Sequence, residues 1–165
     1  MKRLIPVMLC AAALFVLAAC GSSEEAGQTT QIPNPLMPSS LEEIADKDGV
    51  SITLPDGASD INAVRINTDP ITDSVTFTYQ GTKYTYRAAA TPSLTDISGM
   101  YYEWGEPEGG ELPENAPRCM LNGEGQGILL WYRDGHSFSI AVTEGADSAA
   151  LTTMYEMLDA GTTVS

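Results

Sequence analysis

Nucleophilic catalysis needs a nucleophile beside a base. Past its apolar N-terminal run and the polar stretch after it, this chain offers one thiol, Cys119, and one imidazole, His136. Their local patterns argue against a dyad. His136 follows Asp134-Gly135, a turn pair that places it at a hairpin tip. Cys119 precedes Met120 and Leu121 in a short strand pattern, where a small buried thiol is inert. The serine devices are missing too. Gly135-His136-Ser137-Phe138-Ser139 lacks the second glycine of G-x-S-x-G and leads into a strand rather than a helix. No lysine stands three residues after a serine. One histidine and one free thiol cannot close a zinc site, and H-E-x-x-H is absent. Asp46-Lys47-Asp48-Gly49 is like the opening of a calcium loop. It lacks the glycine and glutamate such a loop needs further on, so it reads as a charged helix end. Gly123-Glu124-Gly125-Gln126-Gly127 precedes a strand instead of opening a helix, so its amides would not converge on a phosphate. Carboxylates are plentiful, but nothing in the sequence selects a pair for glycoside cleavage. No cofactor and no metal are implied.

The aromatic residues are the remaining candidates. Tyr79, Tyr84, Tyr86, Trp131 and Tyr132 fall in strand patterns and can be core, with hydroxyls at the rim. Tyr101, Tyr102 and Trp104 stand beside a loop from Glu103 to Asn115, which holds five glutamates, two prolines and three glycines. That composition cannot build a core, so the loop is expected to be exposed and mobile. Tyr and Trp are enriched at interfaces, and Tyr101, Tyr102, Glu103, Trp104 and Glu106 are the candidate recognition surface.

The elements that must carry these residues follow from periodicity. Ser40-Leu41-Glu42-Glu43 fits a capping box, with Gly49 as the stop of a two-turn helix. Val50, Ile52 and Leu54 alternate as a short strand, and Ile61 to Asn67 is a second. Ser74 to Ala89 predicts a hairpin. With Gly81-Thr82 central in a type II′ turn, Tyr79 pairs with Tyr84, Phe77 with Tyr86 and Val75 with Ala88. Every aromatic then shares one face, while Thr76, Thr78, Thr85 and Arg87 face water. Pro92 to Gly99 reads as a turn, and Tyr101 to Trp104 and Arg118 to Asn122 as short strands. Ile128 to Val142 predicts a second hairpin about Asp134-Gly135, pairing Trp131 with Phe138, Leu129 with Ile140 and Ile128 with Ala141. Its first strand is apolar on both sides, as in a strand covered on both faces. Asp147 or Ser148 caps a last helix, whose Leu151, Met154, Tyr155 and Leu158 form one stripe up to Gly161. The expected fold is α+β: a mainly antiparallel sheet built on two hairpins, with a short N-terminal helix and a C-terminal helix packed on it.

The N-terminus addresses the chain. Lys2 and Arg3 precede an apolar run from Leu4 to Ala18, shorter than the roughly 20 residues of a comfortable span. The run closes on Leu17-Ala18-Ala19-Cys20, which resembles the lipobox of bacterial lipoproteins. The resemblance implies cleavage between Ala19 and Cys20, a diacylglyceryl group on Cys20, palmitate-type acylation and a mature protein held at the extracytoplasmic face of the cell membrane. Residues 1–19 are then a signal peptide, residues 20–38 a lipidated flexible tether and residues 39–165 one domain. Nineteen flexible residues span about 24 Å. Without Lys2 and Arg3, six basic residues face 22 acidic ones, a net charge of −16. That balance repels nucleic acid, which needs clustered Lys and Arg, and it holds the domain off an anionic bilayer. With Cys10 removed and Cys20 lipidated, Cys119 has no partner for a disulfide.

The domain also resembles a family of unknown function found in Gram-positive surface lipoproteins and on membrane-tethered regulators. The likeness covers roughly residues 35–160. It rests on the capped helix, the Leu54-Pro55-Asp56-Gly57 strand exit, the Tyr-rich hairpin, the Asp96-Ile97-Ser98-Gly99 turn, the Trp-bearing hairpin and the terminal helix. It brings no catalytic residues. The expected function is therefore non-enzymatic recognition or an accessory role at the envelope, toward a protein, peptide or glycan. The alternatives are a small envelope-acting hydrolase with an unrecognised acidic site, or a purely structural lipoprotein domain.

Overall fold

In chain order, the elements of the computed structural model are β1 (Leu36–Ser39), α1 (Leu41–Asp48), β2 (Val50–Ile52), β3 (Ser59–Ile66), β4 (Thr72–Tyr79), β5 (Thr82–Ala90), β6 (Arg118–Leu121), β7 (Gly127–Arg133), β8 (His136–Val142), α2 (Ser148–Gly161) and β9 (Thr162–Val164). The structure describes residues 34–110 and 112–165. The signal segment, Ala19, Cys20 and most of the tether lie outside these. The fold is α+β. Seven strands form an antiparallel sheet in the order β1-β3-β4-β5-β8-β7-β6, and β2 pairs with β9 in a small second sheet. No helix among the described residues is long and apolar enough to cross a membrane.

The β7–β8 hairpin turns on Asp134 and Gly135, with φ of 51° and 77°, the two positive values of a type I′ turn. Its register is the expected one: Trp131 opposite Phe138, Leu129 opposite Ile140, Ile128 opposite Ala141. The β4–β5 hairpin differs from expectation. Its central residues are Gln80 and Gly81, with φ of 49° and 81°, so the turn is again type I′ rather than II′. Phe77 therefore faces Tyr84 and Val75 faces Tyr86. The slip is two residues, and because side chains alternate with period two, each stays on its expected face. The observed register stacks Phe77 on Tyr84 at 5.6 Å between ring centres.

One face of the sheet carries Val75, Phe77, Tyr84, Tyr86, Ala88, Leu129, Trp131, Phe138, Ile140 and Val142, all buried. Leu151, Met154 and Leu158 of α2 pack into this core. The helix starts at Asp147, whose carboxylate accepts from the Ala150 amide at 2.9 Å. Its far end is held from β7. Arg133 donates to the Asp159 carboxylate at 2.6 Å, to the Asp159 carbonyl at 2.7 Å and to the Thr162 carbonyl at 2.6 Å. A cation on the last carbonyls also complements the helix dipole. Trp131 donates its ring N–H to Asp159 at 3.0 Å, and the buried Tyr86 hydroxyl meets Thr162 Oγ1 at 3.2 Å. Ile44 of α1 joins the same core. The capping box is present at 3.2 Å in both directions between Ser40 and Glu43, and Gly49 is left-handed at the C-cap.

Three expectations need correction. Leu36 to Pro38, assigned to the flexible tether, lie in β1 and pair with β3 as an edge strand, which polar composition around Pro35 and Pro38 concealed. Tyr101 to Trp104 form no strand; the segment meets the β6 edge only further on, where the Gly105 and Glu108 amides donate to the Leu121 and Cys119 carbonyls at 3.1 and 3.0 Å. The face of Thr76, Thr85 and Arg87 does not simply face water: Arg87 and its neighbours lie beneath the 91–117 segment. The tight β6–β7 loop explains the glycine run. Asn122 Oδ1 accepts from the Glu124 and Gln126 amides at 3.0 Å, and at Gly127 a Cβ would crowd Leu121, Ala146 and Leu151.

Candidate functional site

The described residues between 91 and 117 cross the second face of the sheet without regular structure, and their cover is part apolar, part polar. Leu94, Met100 and Trp104 pack on Ile128, Leu130 and Ala141. Ser137, fully buried in β8, accepts from the Thr95 amide at 2.8 Å, donates to the Ser93 carbonyl at 3.1 Å and meets the Thr91 hydroxyl at 2.7 Å. Arg87 of β5 donates to the Ile97 carbonyl at 3.1 Å and to Ser74 at 3.4 Å. Burial pulls its pKa below the usual guanidinium range. Gly99, at φ 68°, lies against the guanidinium, where a Cβ would collide with it. The Asp96-Ile97-Ser98-Gly99 turn is thus an arginine clamp.

Between this segment and the β3–β4 turn lies an open cleft of about 590 Å³, bordered by Ile66, Thr72, Arg87, Asp96, Met100 and Tyr101. Tyr101 stands at its rim with 97% of its surface exposed. Tyr102 is also exposed and sets its ring edge-on to Trp104, 5.8 Å between centres. Trp104 itself, expected to be exposed, is half-buried because its ring covers the second face. Glu103 and Glu106 are exposed. Glu106 borders a separate hollow with Pro107, Leu112 and Arg118, so the five candidate residues do not converge on one site. Cys119 and His136 do not meet either. Cys119 pairs with Leu129 and that residue with Ile140, four positions along β8 from His136, about 13 Å at strand rise. Burial, with Glu108 nearby, pushes the Cys119 thiol up to about 11, far from a reactive thiolate.

The opposite face holds a site the sequence reading did not select. At one end of the helix-covered face, a pocket of about 480 Å³ is lined by Asp48, Val50, Asp69, Ile71, Asp73, Ala88 to Ala90 and His136. Asp73 continues the inward row of Val75 and Phe77, and only 4% of it is exposed. Its Oδ1 has no hydrogen-bond partner. Burial first, and then the neighbouring Asp48, raise its pKa to about 7. Asp48, the last residue of α1, accepts an ion pair from Arg65 of β3. His136 opens β8, with Nδ1 3.0 Å from the Asp134 carbonyl. The signal for this pocket was present, since an acid on the inward parity of an alternating strand is exceptional. Among the described residues, no group of three or more His, Cys, Asp and Glu side chains is placed to hold a metal ion. In comparisons with family models, curated proteins and solved structures, nothing matches this chain.

Proposed function

We propose that this is a lipid-anchored extracytoplasmic domain with a non-enzymatic recognition role at the cell envelope, toward a protein, peptide or glycan. The observation that carries the reading is Tyr101, an aromatic ring almost fully exposed at the rim of the Arg87 cleft. Keeping such a ring in water forgoes the stabilisation its burial would give, and exposed Tyr is enriched where partners dock. The lipobox-like Leu17-Ala18-Ala19-Cys20 supports anchoring through Cys20, because two or more acyl chains give stable attachment. Capture of one envelope component by the mature domain, lost on Tyr101→Ala with the fold intact, is the expected result. Equal capture by the variant would remove the proposed surface. For the anchor, Cys20→Ser should shift the protein from the membrane fraction to the medium.

The second reading is a small envelope-acting hydrolase. Asp73 favours it, since burial and the neighbouring Asp48 raise its pKa to about 7, where an acid can both give and take a proton. Turnover of an envelope polymer that disappears in Asp73→Asn would establish it. A purely structural role would leave every one of these variants without effect on capture or turnover.

A further inference from the structure

We propose that the pocket walled by Asp48, Asp73 and His136 binds a primary ammonium carried on an aliphatic chain. The pocket shares Thr68, Asp69 and Pro70 of the β3–β4 turn with the Tyr101 cleft, but Asp48, Asp73 and His136 line it alone, and the proposal does not depend on that reading.

Three observations converge. The first is an unmet demand for donors. Asp73 is buried and shares a side-chain hydrogen bond with the Asp48 carboxyl, while its Oδ1 is left without any partner. An unsatisfied buried polar atom is costly, so such atoms mark places where a ligand completes the bonding. The second is charge. Asp48, Asp69 and Asp73 line the pocket and no Lys or Arg does, while the neighbouring Arg65 is already engaged by Asp48. A primary ammonium brings three N–H donors and one positive charge, which matches the orphaned Oδ1 of Asp73 and, in place of the proton the two acids share, the Asp48 carboxyl beside it. The third is shape. Val50, Pro70, Ile71 and Ala88 to Ala90 supply short apolar walls, and about 480 Å³ is far more room than a bare ammonium needs. An aliphatic chain fills that space and buries its methylenes. A divalent cation fits less well, because the carboxylates and His136 do not form a metal-ligand set.

Binding must displace the proton that burial keeps on Asp73. The charged and titratable groups around that proton are Asp48 and Lys47 from α1, Arg65 from β3, Asp69 from the β3–β4 turn and His136 from β8. An ammonium that replaces the proton binds more tightly as pH rises. With Asp73 near 7, affinity should climb about tenfold between pH 6 and pH 8.

The chemistry is shared by free alkylamines and by lysine side chains, so the experiment has two arms. The intact domain is titrated with n-butylammonium chloride and, separately, with acetyl-Gly-Lys-Gly-amide, following backbone amide resonances by NMR. Saturable shifts confined to the pocket, around Asp48, Asp73, Ala89 and His136, are expected with at least one probe, and the tighter one identifies the source. Asp73→Asn should weaken binding at least tenfold. Ala90→Leu, at an exposed position, should block the pocket without touching a carboxylate. Equal shifts with n-butanol, displacement by calcium, or saturation by neither amine would overturn the proposal.

Discussion

The two faces of the sheet are covered by different means. On one, α1 and α2 lay regular stripes of Ile44, Leu151, Met154 and Leu158 against strand residues that alternate inward. On the other, the irregular 91–117 segment is pinned at a few points: Trp104 and Met100 on Ile128 and Leu130, three hydrogen bonds on Ser137 and one arginine clamp. The helix-covered face stores its stability in many interchangeable apolar contacts. The loop-covered face concentrates it in single residues whose loss frees a segment rather than the fold.

The sharpest way to break this contrast is a cavity in the first face. Phe138 is fully buried and stacks on Trp131 at 5.3 Å and Tyr86 at 6.2 Å. Phe138→Ala should cost about 3–5 kcal/mol in urea unfolding, with every probe reporting one shifted transition. A loss confined to the 91–117 segment would mean that the two faces are less independent than their covers suggest.

The second test uses the place where the apolar face turns polar. Asp73 has its folded-state pKa raised to about 7 from 3.8, so the folded protein holds this proton more tightly than the unfolded chain does. The stability it contributes is complete below the unfolded value and is lost as pH rises through about 7. Asp73→Asn removes the titration. The variant should match the parent near pH 4 and exceed it by about 4 kcal/mol at pH 8, read from urea midpoints at both pH values. Equal stability at both would show that Asp73 ionises freely in the fold.

The third perturbation addresses the clamp on the loop-covered face. Gly99 is left-handed and its Cα faces the Arg87 guanidinium. Gly99→Ala strains the backbone and displaces that side chain, at about 1–3 kcal/mol. The expected signature is local: faster amide exchange and proteolysis between 92 and 117, with the β4–β5 and β7–β8 amides protected as before.

This division also explains what could be read in the sequence. The capping box at Ser40, the α2 stripe and the β7–β8 register were legible because each rests on spacing along one segment. The β4–β5 face was legible although its turn was not, since Gln80 gives no composition signal for the left-handed conformation it adopts. The edge strand β1, the β2–β9 pair and the grip of Ser137 and Arg87 on the loop depend on partners 24 to 116 residues away or on a single hydrogen bond, and periodicity carries no trace of them. The Asp48–Asp73 pocket joins the end of α1, the strands β2, β4 and β5, the β3–β4 turn and the start of β8, so only the odd parity of Asp73 hinted at it.

The smallest effect belongs to Tyr101, which shares its aromatic character with Phe138 and little else. Phe138 has no exposed surface, whereas Tyr101 is 97% exposed. Truncating it removes almost no contact that the unfolded chain lacks. Tyr101→Ala should therefore move the urea midpoint by less than about 0.5 kcal/mol and leave loop exchange unchanged. A larger loss would mean that the ring folds down over the Arg87 cleft in solution and belongs to the loop's cover. A neutral outcome leaves the ring free for a partner, so any loss of envelope capture in this variant would report recognition and not folding.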